Sequence, residues 1–104
     1  MTTEARVIVE GSARVSEQDR AAYLELVKAV VAAAGKRRGC LKFVVAEDIN
    51  QRNRFHLTEL WTDMECLDAS RFSDENRKVL QALAPLDIRD RHVRIHHVSH
   101  TEAE

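Results

Sequence analysis

Some segments of this chain have apolar residues at every second position, as in a strand, and others have them every three or four positions, as in a helix. The order of these segments limits the possible folds more than any other feature. Four segments have the alternating, β-branched pattern of strands: residues 5–15, 41–47, 54–61 and 92–98. Two helical stripes separate them, one from Ser16 to Gly35 and one from Thr62 to Pro85. The predicted order is therefore strand, helix, strand, strand, helix, strand. Because 104 residues form one hydrophobic core, residues 1–104 are expected to be a single domain.

This order of elements predicts an α+β fold of the ferredoxin-like βαββαβ type. Its simplest compact form is one antiparallel sheet with both helices on the same face. The other face of the sheet then has no cover, although apolar residues occur at strand positions of both parities. A homodimer formed through this open face is therefore expected. The alternative is a monomer whose outer face is shielded by long charged side chains such as Lys42, Arg54 and Arg94.

Local signals refine the predicted elements. Gly11, inside the first strand, indicates a bulge or the close approach of another group. The apolar stripe of the first helix consists of Tyr23, Leu26, Val27, Val30 and Ala34. The second helix is expected to break near Phe72 and to restart after Ser73, which has the sequence context of an N-cap. The basic cluster at residues 36–38 is expected to be a solvated helix end, with phosphate binding as the alternative.

Charge and composition narrow the classes of partner. Sixteen basic and seventeen acidic side chains give a net charge of -1, which argues against a nucleic-acid partner because such proteins carry a basic excess. No apolar run approaches the roughly 20 residues of a membrane span, and no signal peptide is visible. Cys40 and Cys66 lack the spacing of metal ligands and are expected to be buried thiols in a reducing compartment. A cytoplasmic protein without nucleic-acid or membrane partners is the expectation.

Sequence motifs for a cofactor, a metal or a covalent nucleophile are missing: there is no Gly-x-Ser-x-Gly, no glycine-rich phosphate loop and no Cys-x-x-Cys. His92, His96 and His100 share one predicted face of the last strand. Nearest same-face neighbours on a strand lie about 7 Å apart, and His92 and His96 lie about twice that distance apart, which is too far for the three imidazoles to bind one zinc ion at about 2.1 Å. Neither a metal nor a cofactor is expected.

Two titratable side chains on the predicted strands face apolar surroundings and are the candidate catalytic residues. His97 shares a face with Val93 and Ile95, where it is either a proton relay or a hydrogen-bonded core histidine. Glu59 shares a face with Trp61. It is therefore either a base with a shifted pKa or half of a structural salt bridge, and the salt bridge is favoured.

Aromatic side chains are the candidate substrate-binding residues. Phe43 and Trp61 lie on predicted strands, and Phe72 lies at the predicted helix break. Such residues either fill the core or form an apolar slot that stacks a planar aromatic substrate. Trp61 is expected to line the pocket or its floor.

Three short motifs in order resemble the antibiotic biosynthesis monooxygenase family: residues 39–43 (GCLKF), residues 59–61 (ELW) and residues 67–69 (LDA). The resemblance extends from about residue 5 to residue 98 and includes the order and length of the elements. It implies a small, dimeric, ferredoxin-like protein, described as a dimeric α/β barrel, with a pocket between sheet and helices in each subunit.

The family resemblance implies a range of activities. Members include cofactor-independent monooxygenases of anthrones and quinols, whereas other relatives degrade haem or isomerise small phosphorylated ligands. Ser70 stands where the family often has a helix histidine, and Phe43 stands where a tyrosine is common. The missing helix histidine tells against haem degradation, in which it binds iron. His56 and His97 are the histidines that could take its place.

The leading functional prediction is a cofactor-independent monooxygenase that oxidises quinol, polyphenol or anthrone-like aromatic substrates with dioxygen. Its predicted catalytic residues are His97 and Glu59. Its predicted substrate-binding residues are Phe43, His56, Trp61, Ser70 and Phe72. The alternatives are a non-catalytic dimeric module that binds a small ligand, and an isomerase or cyclase that acts on a polyketide-like compound.

Overall fold

Four antiparallel strands form one sheet in the computed structural model, which describes residues 4–104. The strands are β1 (Val7–Val15), β2 (Cys40–Glu47), β3 (Arg54–Trp61) and β4 (Ile88–His97). The helices are α1 (Arg20–Ala34), α2 (Met64–Arg71) and α3 (Asp74–Leu83). The sheet order is β2-β3-β1-β4, and every neighbouring pair is antiparallel. This arrangement confirms the predicted α+β, ferredoxin-like class.

The break in the second helical segment is also confirmed. Helix α2 ends at Arg71, and α3 begins after Ser73, whose Oγ accepts a hydrogen bond from the Asn76 N–H at 3.1 Å. The start of α2 is capped in the same way by Asp63, which accepts from the Cys66 N–H at 2.8 Å. Each cap satisfies an N–H that the first helical turn leaves without a partner.

Two predicted boundaries are wrong. Helix α1 begins at Arg20 rather than at Ser16, because residues 17–19 form a turn in which the Asp19 N–H donates to the Ser16 carbonyl at 3.1 Å. Strand β4 begins at Ile88, four residues before its predicted start. The long first strand extends the pairing, since Ile88 lies opposite Val15.

A small core lies where α2 covers one end of the sheet. It consists of Val7, Val9, Trp61, Cys66 and Leu67. Gly39 makes the close contact with α2 possible: it has a φ of 77°, and a Cβ there would lie 2.5 Å from the Cys66 Sγ. Cys66 is buried as predicted, whereas Cys40 is only partly buried.

The close approach predicted at Gly11 is confirmed. A Cβ at Gly11 would lie 2.5 Å from the carbonyl oxygen of His92 in β4, so only glycine fits between the two strands.

A network of charged side chains holds the start of α1 against the β2–β3 hairpin. The Arg20 guanidinium donates to Glu47 at 2.7 Å and to Asn53 at 2.7 Å, and it lies 5.6 Å from the centre of the Phe55 ring. The hydrogen bond from Arg20 lowers the pKa of Glu47 to about 2. The network thus fixes the start of α1, which forms one wall of the cavity described below.

None of the helices formed by residues 4–104 has both the length and the apolar character needed to cross a membrane.

Candidate active site

A cavity of about 480 Å³ lies between the sheet and the helices. Its floor is formed by same-face residues of all four strands, including Val9, Phe43, Val45, Leu57, Val93 and Ile95. Its walls are the apolar stripes of α1 and α3, including Tyr23, Leu26, Val27, Val30, Val79, Leu80 and Leu83. The volume and the apolar lining are typical of a small-molecule site.

Among the described residues that line this cavity, Glu59 is the only one with an acidic side chain. It lies in the middle of the sheet, in one row with Phe43 of β2, Val9 of β1 and Ile95 of β4. The two-residue period of the strands places all four on the face toward the helices. A carboxyl group is thereby set among apolar side chains.

The Glu59 carboxyl group is held by Trp61. Its Oε1 accepts a hydrogen bond from the Trp61 Nε1–H at 2.8 Å, and only 9% of the residue is exposed. Among residues 4–104, no hydrogen bond to Oε2 is found. Burial raises the pKa of Glu59, and the hydrogen bond from Trp61 and the charges of Arg71 and Arg37 oppose that rise.

The salt bridge favoured for Glu59 is not formed within the described part of the chain. No lysine, arginine or histidine nitrogen of residues 4–104 comes within 4.0 Å of its carboxylate. The partner of Glu59 is the neutral indole of Trp61 instead. Of the two readings of Glu59, a carboxyl group with a shifted pKa is the one that the geometry fits.

Trp61 is completely buried, with 0% exposure, and lies in the core rather than in the cavity lining. It shares a strand face with Glu59, but Cys66 and Leu67 of α2 cover it. Its connection to the cavity runs through the hydrogen bond to Glu59.

Phe43 and His56 line the cavity, and Phe72 does not. Phe43 is partly buried on β2, next to Glu59. The His56 ring lies half exposed and shares a hydrogen bond with Asp48 at 2.8 Å, so it contributes to the rim. Phe72 is 79% exposed at the junction of α2 and α3, which turns it away from the sheet.

Ser70 is buried beside the cavity, and its hydroxyl group is hydrogen-bonded to Arg37. The Arg37 guanidinium donates to the Ser70 Oγ and lies 3.6 Å from the Glu75 carboxylate. Only 15% of the Arg37 side chain is exposed, so the prediction of a fully solvated basic cluster is wrong at this residue. The contact ties the end of α1 to α2.

His97 lies opposite Val7 at the exposed end of the edge strand β4. Glu59 is two strands away and one row further along the sheet, which corresponds to about 12 Å between the two backbones. The fold therefore does not bring the two predicted catalytic residues together. No group of three or more metal-binding side chains suited to one ion occurs within residues 4–104.

Two arginines of the cavity lining were not predicted. Arg71 follows Leu67 by four residues and therefore lies on the same face of α2, a spacing visible in the sequence. Arg91 lines the cavity from β4, two residues before Val93, and was missed because the strand was predicted to begin only at residue 92.

Comparison with solved structures shows the same fold in several proteins. A presumptive antibiotic biosynthesis monooxygenase from Deinococcus radiodurans is 22% identical, with a TM-score of 0.88 over 94% of this chain and 97% of that one. A presumptive monooxygenase of the same kind from Nitrosomonas europaea is 15% identical, with a TM-score of 0.80 over 90% and 99%. A conserved protein from Methanosarcina mazei is 21% identical, with a TM-score of 0.81 over 91% and 93%.

Comparison of the sequence with curated proteins finds no match. The family model for antibiotic biosynthesis monooxygenases matches residues 6–82, which include the Glu59–Trp61 pair and most of the elements that enclose the cavity. Because this match spans well over half of the sequence, the chain belongs to the antibiotic biosynthesis monooxygenase family.

Proposed function

We propose that this protein is a cofactor-independent monooxygenase that oxidises quinol, polyphenol or anthrone-like aromatic molecules with dioxygen in the cavity above Glu59. The observation that supports this most is the state of that carboxyl group. One oxygen is anchored by Trp61 at 2.8 Å, and the residue lines an apolar cavity. A fixed carboxylate with a raised pKa is suited to accept a proton from a bound phenol.

Substrate binding in this proposal depends on the apolar lining. The cavity volume of about 480 Å³ lies in the range of sites that enclose small organic molecules. Phe43 lies beside Glu59, so its ring can contact the face of a planar substrate whose hydroxyl group reaches the carboxylate.

The chemistry begins with transfer of a phenolic proton to Glu59. The resulting electron-rich anion passes one electron to dioxygen, and the substrate radical and superoxide then combine to form a carbon–oxygen bond. Glu59 returns its proton to the peroxide. The hydroperoxide then loses water and becomes a carbonyl group. One atom of dioxygen stays in the substrate as the carbonyl oxygen. The other leaves as water, together with two hydrogens that came from the substrate. Exclusion of bulk water by the apolar walls favours both proton transfer and radical recombination.

Glu59 rather than His97 is the proposed base, because Glu59 lines the cavity and His97 lies about 12 Å away at the edge of the sheet. In this proposal Trp61 and Ser70 do not contact the substrate. Trp61 positions Glu59 through its hydrogen bond, and Ser70 positions Arg37. Phe72 has no part in the proposed chemistry.

The test is oxygen consumption by the purified protein with a panel of anthrones and quinols. We expect Glu59→Gln, which retains an acceptor for Trp61 but cannot take a proton, to lower kcat/KM by about 100-fold or more. Glu10→Gln is the matched control, since Glu10 lies on the opposite sheet face beside His96 and should leave the rate unchanged. Wild-type uptake no faster than the uncatalysed reaction, at every pH at which the protein is folded, would refute the proposal.

Repeating the assay without oxygen separates the alternatives. An isomerase or cyclase converts its substrate at the same rate under anaerobic conditions. A non-catalytic binding module raises the unfolding temperature when the ligand is added but yields no product. A monooxygenase forms product only when dioxygen is present.

A further inference from the structure

Two exposed arginines line the predominantly apolar cavity and have no acidic partner in the described part of the chain. They are Arg71, the last residue of α2, and Arg91 of β4. No carboxylate of residues 4–104 lies within 4.0 Å of either. Two positive charges therefore accompany the single cavity carboxyl group of Glu59, whose own ionisation is opposed by burial.

Arg91 lies on the cavity face because it is two residues from Val93, and a bulge in β4 separates it from Ile88. The β1–β4 register shifts between Ser12 and Arg14, where Asp90 and Arg91 together lie opposite Ala13. Such an extra residue reverses the alternation of side chains on the strand that contains it. Bulges of this kind often turn a side chain toward a functional site.

Without the bulge, alternation from the cavity residue Val93 would place both Arg91 and Arg89 on the cavity face and Ile88 on the outer face. With it, Asp90 forms a 2.7 Å ion pair with Arg14, and Arg91 lines the cavity. Asp90 has a φ of 52°, in the left-handed region that residues other than glycine seldom adopt. The bulge thus places Ile88 rather than Arg89 on the cavity face, and Arg91 is the arginine of β4 that lines the cavity.

We propose that Arg71 and Arg91 make the cavity selective for planar aromatic molecules that carry a carboxylate group. A guanidinium group donates two parallel N–H bonds to the two oxygens of a carboxylate, and this bidentate geometry distinguishes a carboxylate from a neutral amide. Glu59 repels a second anion, so the ligand carboxylate lies toward the arginines and a neutral hydroxyl group lies toward Glu59. The role of the hydroxyl group at Glu59 rests on the proposed function. The preference for a carboxylate at the arginines is independent of it.

Binding of a matched ligand pair tests this inference. The probes are a dihydroxyanthraquinone carboxylate and its carboxamide, which have the same rings and are already oxidised, so no turnover occurs. At neutral pH, calorimetric titration of the wild-type protein should show about tenfold tighter binding of the carboxylate. Arg91→Gln and Arg71→Gln should each reduce this ratio, and the double variant should bring it to about one.

Arg94→Gln is the matched control. Arg94 is an exposed arginine of the same strand, lies opposite Glu10 on the outer face, and should leave the tenfold ratio intact. Equal affinity of the wild-type protein for the two probes, no binding of either, or an equal loss in Arg94→Gln would each overturn the inference. Retention of the ratio in a protein that fails the oxygen-consumption assay would count against the proposed function alone.

Discussion

At the scale of single residues, the hydrogen bond between Trp61 and Glu59 connects the core to the cavity. A buried indole N–H needs an acceptor, and a buried carboxyl group needs a donor, so each side chain satisfies the other. The alternation of β3 predicts that they share a face, since they are two positions apart. It does not predict that the indole, rather than an arginine, is the partner.

We expect Trp61→Ala to lower the free energy of unfolding by about 3–5 kcal/mol, because it empties a fully buried site. Urea denaturation monitored by circular dichroism measures this change. Phe72→Ala is the matched aromatic control: Phe72 is exposed, so its loss should cost no more than about 0.5 kcal/mol. A Trp61→Ala variant as stable as the control would show that Trp61 is not part of the core.

Glu59→Gln should make the protein more stable at neutral pH. Burial raises the pKa of Glu59 in the folded state, so stability falls as the pH rises above the ordinary pKa of 4.5, and the loss is complete once the pH exceeds the raised pKa. Below the ordinary pKa of 4.5 the carboxyl group is protonated in both states, and the difference from the glutamine variant should shrink. Unfolding temperatures of the two proteins across this pH range test the prediction, and a constant difference would contradict it.

At the scale of elements, the position of α1 depends on ion pairs with the β2–β3 hairpin. Arg20 pairs with Glu47, and Arg52 of the hairpin pairs with Glu17 just before α1. The hydrogen bond from Arg52 lowers the pKa of Glu17 to about 2. These residues are unremarkable in the sequence, since Glu17 and Arg52 are 35 positions apart.

Acid should weaken this connection in a defined pH range. Because the folded pKa values of Glu17 and Glu47 are about 2 and their ordinary value is 4.5, their stabilising effect is complete above pH 4.5 and is lost as the pH falls toward 2. Arg20→Gln should therefore lower stability above pH 4.5 and flatten its decline in acid. Lys36→Gln, at an exposed lysine that forms no ion pair among residues 4–104, should leave the acid profile of wild type unchanged.

At the scale of the whole molecule, the outer face of the sheet is the predicted homodimer surface. Its central positions include Ile8 and Leu60, which lie opposite each other, and Val44 of β2, which is 39% exposed. Sedimentation equilibrium at micromolar concentration should give twice the chain mass of 11.9 kDa. Val44→Glu should shift the mass toward one chain, whereas Phe72→Glu, at the helix junction, should not. A single-chain mass for the wild-type protein would refute the dimer.

The sequence by itself determined the order of the elements, the break between α2 and α3, the close approach at Gly11 and the family. These features depend on local patterns: a two-residue or helical period, a capping side chain, or a glycine where no other residue fits. The same periods placed Glu59 and Trp61 on one face of their strand, the face that bears the cavity floor, whereas the β2–β3 register of the structure placed Phe43 beside Glu59. Local patterns suffice for such conclusions because they describe one element at a time.

Only the tertiary structure decided which of these residues meet. Alternation assigns a side chain to a face but not to a neighbour, so it could not show that α2 covers Trp61 or that β1 separates His97 from Glu59. Ile88 is the clearest case, because one extra residue in β4 places it, rather than Arg89, on the cavity face. That bulge arises from pairing between strands that are more than 70 positions apart in the sequence, and such long-range pairing leaves no local pattern to detect.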